Sequence, residues 1–154
     1  MAMHTWFECK IRYEKTMENG MNKKVTEPYL VDALSFTEAE ARIIEEITPF
    51  ISGEFTVADI KRANYSELFP CDEKAADRWF KCKLIFITLD EKSGAEKKTS
   101  TQVLVQAADL RDAVKKLDEG MKGTMADYQI ASVAETPLMD VYPYSAEPDD
   151  KPEV

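Results

Sequence analysis

Two five-residue words hold the most reactive side chains in the sequence: "WFECK" at residues 6–10 and "WFKCK" at residues 79–83. Each sets an indole, a thiol and an amine within one short stretch. An indole stacks on the flat face of a base, and a lysine takes phosphate as a point charge. Such stacking is worth about 1–3 kcal/mol per base. A thiolate acts as nucleophile or metal ligand when a base or further ligands stand beside it. The sequence offers little for that second use. Its one histidine is His4, and Cys9, Cys71 and Cys82 form no C-x-x-C pair. No G-x-S-x-G, Walker or G-x-G-x-x-G run occurs. Glu38, Glu40, Glu45 and Glu46 read as a solvated helix face, and Asp32, Asp59 and Asp127 as caps and turns, with no pair marked for acid–base work. The reading expects no enzyme, no catalytic residues, no metal and no cofactor.

Alternation along a strand decides which side chains work together, because neighbours face opposite sides. Phe7, Cys9, Ile11 and Tyr13 share one side, as do Phe80, Cys82, Leu84 and Phe86. These are core residues, with the cysteines acting as small hydrophobes. A site combining His4, Cys9 and Cys82 conflicts with that inward orientation. The reverse side holds Trp6, Glu8, Lys10 and Arg12, and then Trp79, Lys81, Lys83 and Ile85. The candidate ligand-binding set is therefore Trp6, Lys10, Arg12, Trp79, Lys81 and Lys83, on a sheet face that helices leave open. The plainer alternative has each Trp covering a sheet end or a subunit seam, with the cations solvated.

The elements that position these residues recur. After each word comes a polar hairpin loop, "TMENGMNKK" or "DEKSGAEKK", with a one-residue difference in length. "PYLVDALSFTEAEARIIEEI" then aligns with "TQVLVQAADLRDAVKKLDEG". Ser35 stands three residues before Glu38, a capping box, and Asp109 stands three before Asp112, an N-cap followed by a dipole-favoured acid. Ala39, Ile43 and Ile47 form one buried helix stripe, and Ala113, Leu117 and Met121 another. "TVADIKRANYSEL" aligns more loosely with "MADYQIASVAETPL", setting Ile60 beside Ile130 and Leu68 beside Leu138. The expected class is α+β: a tandem duplication of a β-β-α-β unit, with helices packed on one face of antiparallel sheet. Residues 1–69 form the first repeat, 70–78 a connector, 79–142 the second repeat, and 143–154 an acidic, Pro-rich tail expected to be disordered. Whether the repeats share one sheet stays open.

A net charge of −9 argues against broad duplex binding, which needs a cationic surface, and leaves room for a local basic stripe. No apolar run approaches the ~20 residues that span a bilayer. "MAMHTWFECKIRYEK" lacks the basic-then-apolar order of a secretory signal. With three cysteines, two at equivalent repeat positions, the reading is reduced thiols in a cytoplasmic protein.

The opening "WFECKIRYEKTMENGMNKKVTEPYLVDALSFTEAEARI" resembles an uncharacterised family, a domain of unknown function, of Bacteroides-type genomes and their phages. The resemblance covers most of the chain. It implies a small cytoplasmic or phage-encoded protein of mobile-element biology, in replication or interference with host defence. It assigns no catalytic residues. Together with the doubled Trp/Lys/Arg face, it leads to a non-enzymatic binder of single-stranded nucleic acid. Two alternatives accompany this. One is a nucleotide-ligand binder that sequesters a host signal. The other is a structural or adaptor module with the open sheet face as a protein interface. A homo-oligomer and a protein partner for the acidic tail are further partner expectations.

Overall fold

The computed structural model describes residues 5–124 and 127–143. Among the described residues the fold is mixed α+β, with two α-helices and eight strands in two four-stranded sheets. None of the described helices is long and apolar enough to cross a membrane. The chain divides into two compact units, one from residues 5–63 with 138–143, the other from 64–137.

In the first unit β1 (Trp6–Thr16) and β2 (Asn22–Asp32) form an antiparallel hairpin. Its turn needs the left-handed backbone of Gly20, whose N–H bonds Met17 O at 2.9 Å. Then come α1 (Phe36–Ile47) and β3 (Phe55–Ala63), the latter antiparallel to β1. The helix starts where the sequence prescribes. Ser35 Oγ accepts from Glu38 N at 3.1 Å, and Glu38 returns a carboxylate oxygen to Leu34 N at 2.8 Å. Phe7, Cys9, Ile11, Val31 and Ala33 lie under Ala39, Ile43 and Ile47, all essentially solvent-free.

The second unit uses β4 (Glu67–Phe69), β5 (Arg78–Leu89), β6 (Glu96–Ala107), α2 (Leu110–Gly120) and β7 (Asp127–Glu135). Gly94 turns the β5–β6 hairpin, one residue longer than the first. Asp109 caps α2 through Asp112 N at 2.8 Å, while Asp112 accepts from Ala108 N at 3.0 Å. Asp112 thus has the reaching-back role of Glu38, beyond the dipole role expected of it. Phe80, Cys82, Leu84, Val103, Val105 and Ala107 pack under Ala113, Leu117 and Met121.

The strand orders match. One sheet runs β3-β1-β2-β8 and the other β7-β5-β6-β4, where β8 is Val141–Tyr142. The outer short strand runs parallel to its neighbour in each, so the sheets are mixed rather than wholly antiparallel. Each short strand is remote in the chain from the rest of its sheet. Residues 67–69, which follow β3, pair with Val103–Val105; residues 141–142, which follow β7, pair with Leu30 and Val31.

The register corrects the looser sequence alignment. Ile60 lies opposite Cys9, and Val133, not Ile130, lies opposite Cys82. Val57 and Ile130 are the equivalent pair, facing Ile11 and Leu84. Leu68 corresponds to Val141, since they face Leu104 and Leu30. The physical reason is a β-bulge at the same place in both sheets. Ala58 is the extra residue between the partners of Lys10 and Ile11, and Ala131 between those of Lys83 and Leu84.

Candidate functional site

With the Phe–Cys–aliphatic stripe under its helix, each first strand turns its Trp and cations to the helix-free face. Cross-strand partners complete that face. In the first unit Trp6, Glu8, Lys10 and Arg12 stand opposite Asp32, Leu30, Pro28 and Thr26. In the second, Trp79, Lys81 and Lys83 stand opposite Gln106, Leu104 and Gln102. The expectation that this face is open needs correction at the Trp end. Trp6 is 3% exposed and Trp79 6%, and their same-face neighbours Leu30 and Leu104 are 0% exposed. Neither indole offers a free stacking surface. The reason is the size of the ring: leaving a Trp and a Leu in water forfeits several kcal/mol, at roughly 1.5–3 kcal/mol for an aliphatic side chain alone.

The cations separate into three environments. Lys10 is half-buried opposite Asp59, and the same ladder sets Glu8 opposite Lys61 and Glu14 opposite Lys24. Charge on this part of the first face is therefore balanced. Arg12 is exposed and lines a cleft of about 590 Å³ with Glu14, Asn22, Lys24, Glu54 and Thr56.

Lys81 and Lys83 differ from both. They are exposed, and their ladder partners are Leu104 and Ala134, then Gln102 and Ser132, with no carboxylate among them. Among the described residues no ion pair engages either lysine. Two residues apart on one strand, their side chains emerge on the same face roughly 6.7 Å apart at the backbone. Exposed Lys98, opposite Ile87, extends the same face. Beside Lys83, a shallow depression of about 430 Å³ is lined by Asn64, Tyr65, Ser66, Ser100, Thr101 and Gln102. Ser66 donates through N and Oγ to Gln102 O at 2.8 and 3.2 Å, and Thr101 Oγ1 donates to Ser66 Oγ at 2.9 Å. Lys98, Tyr65 and Gln102 lay outside the sequence-derived set. Hairpin register was the signal for Lys98 and Gln102, whereas Tyr65 had none.

The thiols are not poised for chemistry. Burial pushes Cys9 up to about 12, with Glu8 and Asp59 adding to the effect, and burial pushes Cys82 up to about 11. Both are protonated and inert at neutral pH. They lie in the cores of different units, and His4, their conceivable third partner, is outside the described residues. Of the carboxylates, Glu38 serves the α1 cap, and Glu46 lies 3.6 Å from Arg42. Arg42 also donates to the Asp32 carbonyl and, at 3.3 Å, to Pro143 O. The rest of the acidic tail, residues 144–154, is outside the described residues.

The family described as Domain of unknown function (DUF4494) matches residues 5–144. No curated protein matches the sequence.

Proposed function

We propose a binding function for this chain, which belongs to the family described as Domain of unknown function (DUF4494). The ligand is single-stranded nucleic acid, and its contact surface is the helix-free face of the second unit. The observation that carries this reading is the pair Lys81 and Lys83, exposed on one face with no acidic cross-strand partner, with Lys98 further along that face in the row where Asp127 also stands opposite Ile87. On a chain of net charge −9 such a pair is a local exception. Lysines in a row track a phosphate backbone electrostatically, without sequence preference. Gln102, Ser100 and Asn64 beside them supply neutral donors and acceptors for base edges or sugar hydroxyls. The buried tryptophans have a framework role in this reading, and the candidate contact set narrows to Lys81 and Lys83 with Lys98 added. A phage or other mobile-element setting belongs to the same proposal. No step of catalysis is part of it.

The proposal also holds that the two units arose by tandem duplication of one β-β-α-β unit. Matching strand order, reciprocal caps and a bulge at the same ladder position support this. After duplication the faces diverged, with Asp59 opposite Lys10 on the first and neutral residues opposite Lys81 and Lys83 on the second.

Anisotropy of a labelled oligo-dT tests the reading. Binding should weaken with salt, and Lys81→Ala/Lys83→Ala should reduce the slope of log K against log salt by about 1.4, at about 0.7 per phosphate contact. Lys10→Ala should change little. Absence of binding at low ionic strength would end the proposal.

The cleft at Arg12 favours a second reading. Its volume of about 590 Å³ falls in the range of small-ligand sites. A nucleotide phosphate would meet Arg12 and Lys24, while Glu14 and Glu54 would take donors. Thermal shift against a nucleotide panel, abolished by Arg12→Ala, distinguishes it from the first.

A further inference from the structure

Each short outer strand is donated by the repeat that does not form the rest of its sheet, and geometry explains why. Ala63, at the end of β3, lies opposite Trp6, which lies opposite Asp32. The seat for a fourth strand begins at Leu30, beyond β2. From Ala63 that seat is three strand spacings away, about 14 Å, and two residues back, about 7 Å. The five residues from Ala63 to Leu68 reach at most about 17 Å when fully extended. A straight path of that length runs through β1 and β2, where Ala33 N bonds Thr5 O at 3.1 Å. A detour around them is too long. The second repeat meets the same limit. Thr136 N bonds Trp79 O at 2.8 Å, Trp79 lies opposite Gln106, and Val141 is again five residues on. A repeat cannot fill its own seat, so donation from elsewhere is built into the topology.

The seat on β2 is specific. Leu30 N donates to Asp140 O at 3.1 Å, and Met139 N donates to Pro28 O at 2.9 Å. Tyr142 stacks on Tyr29 with ring centroids 6.2 Å apart, Val141 is 8% exposed, and Arg42 holds Pro143 O. No contact here requires donor and acceptor to be the same molecule. Of the two exchanged strands β8 is the shorter, pairing through two residues against three in β4.

We propose that two copies of the chain assemble by exchanging this segment, residues 138–143 of each copy seating on β2 of the other. The result is a closed, two-fold dimer in which every β8 contact of the single chain is reproduced. The balance between forms depends on concentration and on the link at Pro137, between Thr136 held at Trp79 O and the seated segment that starts at Leu138, because a short tether presents its strand at an effective concentration of about 1 mM. Closed single chains therefore dominate at dilute concentration, and exchange dominates when refolding is carried out near that value.

Refolding the full chain from denaturant across micromolar to millimolar concentration, followed by size-exclusion with light scattering, tests this. The expected result is a dimer that grows to about half the protein near 1 mM and returns to single chains on dilution well below that value. Deleting Pro137, which shortens the link, should raise the dimer fraction at every concentration. Val141→Asp should abolish it. Monomer after refolding at all concentrations, in the natural chain and the shortened one alike, overturns the proposal. So does a dimer that forms equally with Val141→Asp, since that is ordinary surface association.

Discussion

At the scale of single residues the thiols under the helices make a pH-sensitive contribution whose sign is fixed. Cys9 is raised from 9.0 to about 12 and Cys82 from 9.0 to about 11, chiefly by burial. Between those limits the folded chain holds protons that the unfolded chain has released. The thiols' contribution is whole below pH 9 and is lost as pH rises through the folded values. Each thiol can cost about 1.4 kcal/mol per pH unit within its window. Tyr29 and Tyr142, also raised by burial, act in the same direction above pH 10. The melting temperature should fall steadily from about pH 9 to 11 by scanning fluorimetry, and Cys9→Ala/Cys82→Ala should flatten the fall. An unchanged slope in the double variant would remove the thiols from the account. The inward thiols were legible in the sequence because period-2 alternation assigns sides. The burial of Trp6 and Trp79 was not, because alternation says which side a ring is on and nothing about what covers that side.

At the scale of elements, sequence signals were strong wherever local chemistry closes a structure on itself. Both hairpins and both helices stand where Gly20, Gly94, Ser35 and Asp109 announce them. The weak points were β3 and β7, which carry few buried residues and a bulge. An extra Ala58 or Ala131 shifts register without altering composition, so spacing arguments drift by a few residues there. β4 and β8 were invisible for another reason: three- and two-residue strands have no periodicity to detect. Gly120 tests how tightly one of them is seated. It ends α2, and a Cβ there would stand 2.9 Å from Phe69 Cδ1 and Cε1. Gly→Ala in a helix ordinarily gains up to about 1 kcal/mol. Here overpacking, at about 1–3 kcal/mol, outweighs the gain. Gly120→Ala should therefore lower stability in urea melts by about 1 kcal/mol, and adding Phe69→Leu should recover part of it. A stabilised Gly120→Ala would mean that β4 yields freely.

At the scale of the whole molecule the recurring sequence pattern foretold one helix and three long strands in each half of the chain, but not the crossing of the fourth. Crossing is a long-range property: it depends on the reach of residues 63–68 and 136–141 against sheet width, and no local motif encodes that. Its consequence is that each unit depends on residues remote in the chain. Removing residues 138–154 deletes β8 while sparing every strand of the second sheet. The first unit would lose buried Leu138 and Val141 and the Tyr142 stack on Tyr29. At roughly 1.5–3 kcal/mol for each of Leu138 and Val141, the loss is about 3–6 kcal/mol before the Tyr142 stack is added, a large fraction of a domain's stability. The second unit has its own core and keeps it. Hydrogen exchange should accordingly speed up at Leu30, whose N–H loses Asp140 O, and through β1–β3, with β5–β7 unchanged. Uniform loss of protection across both sheets would show instead that the units fold as one cooperative body.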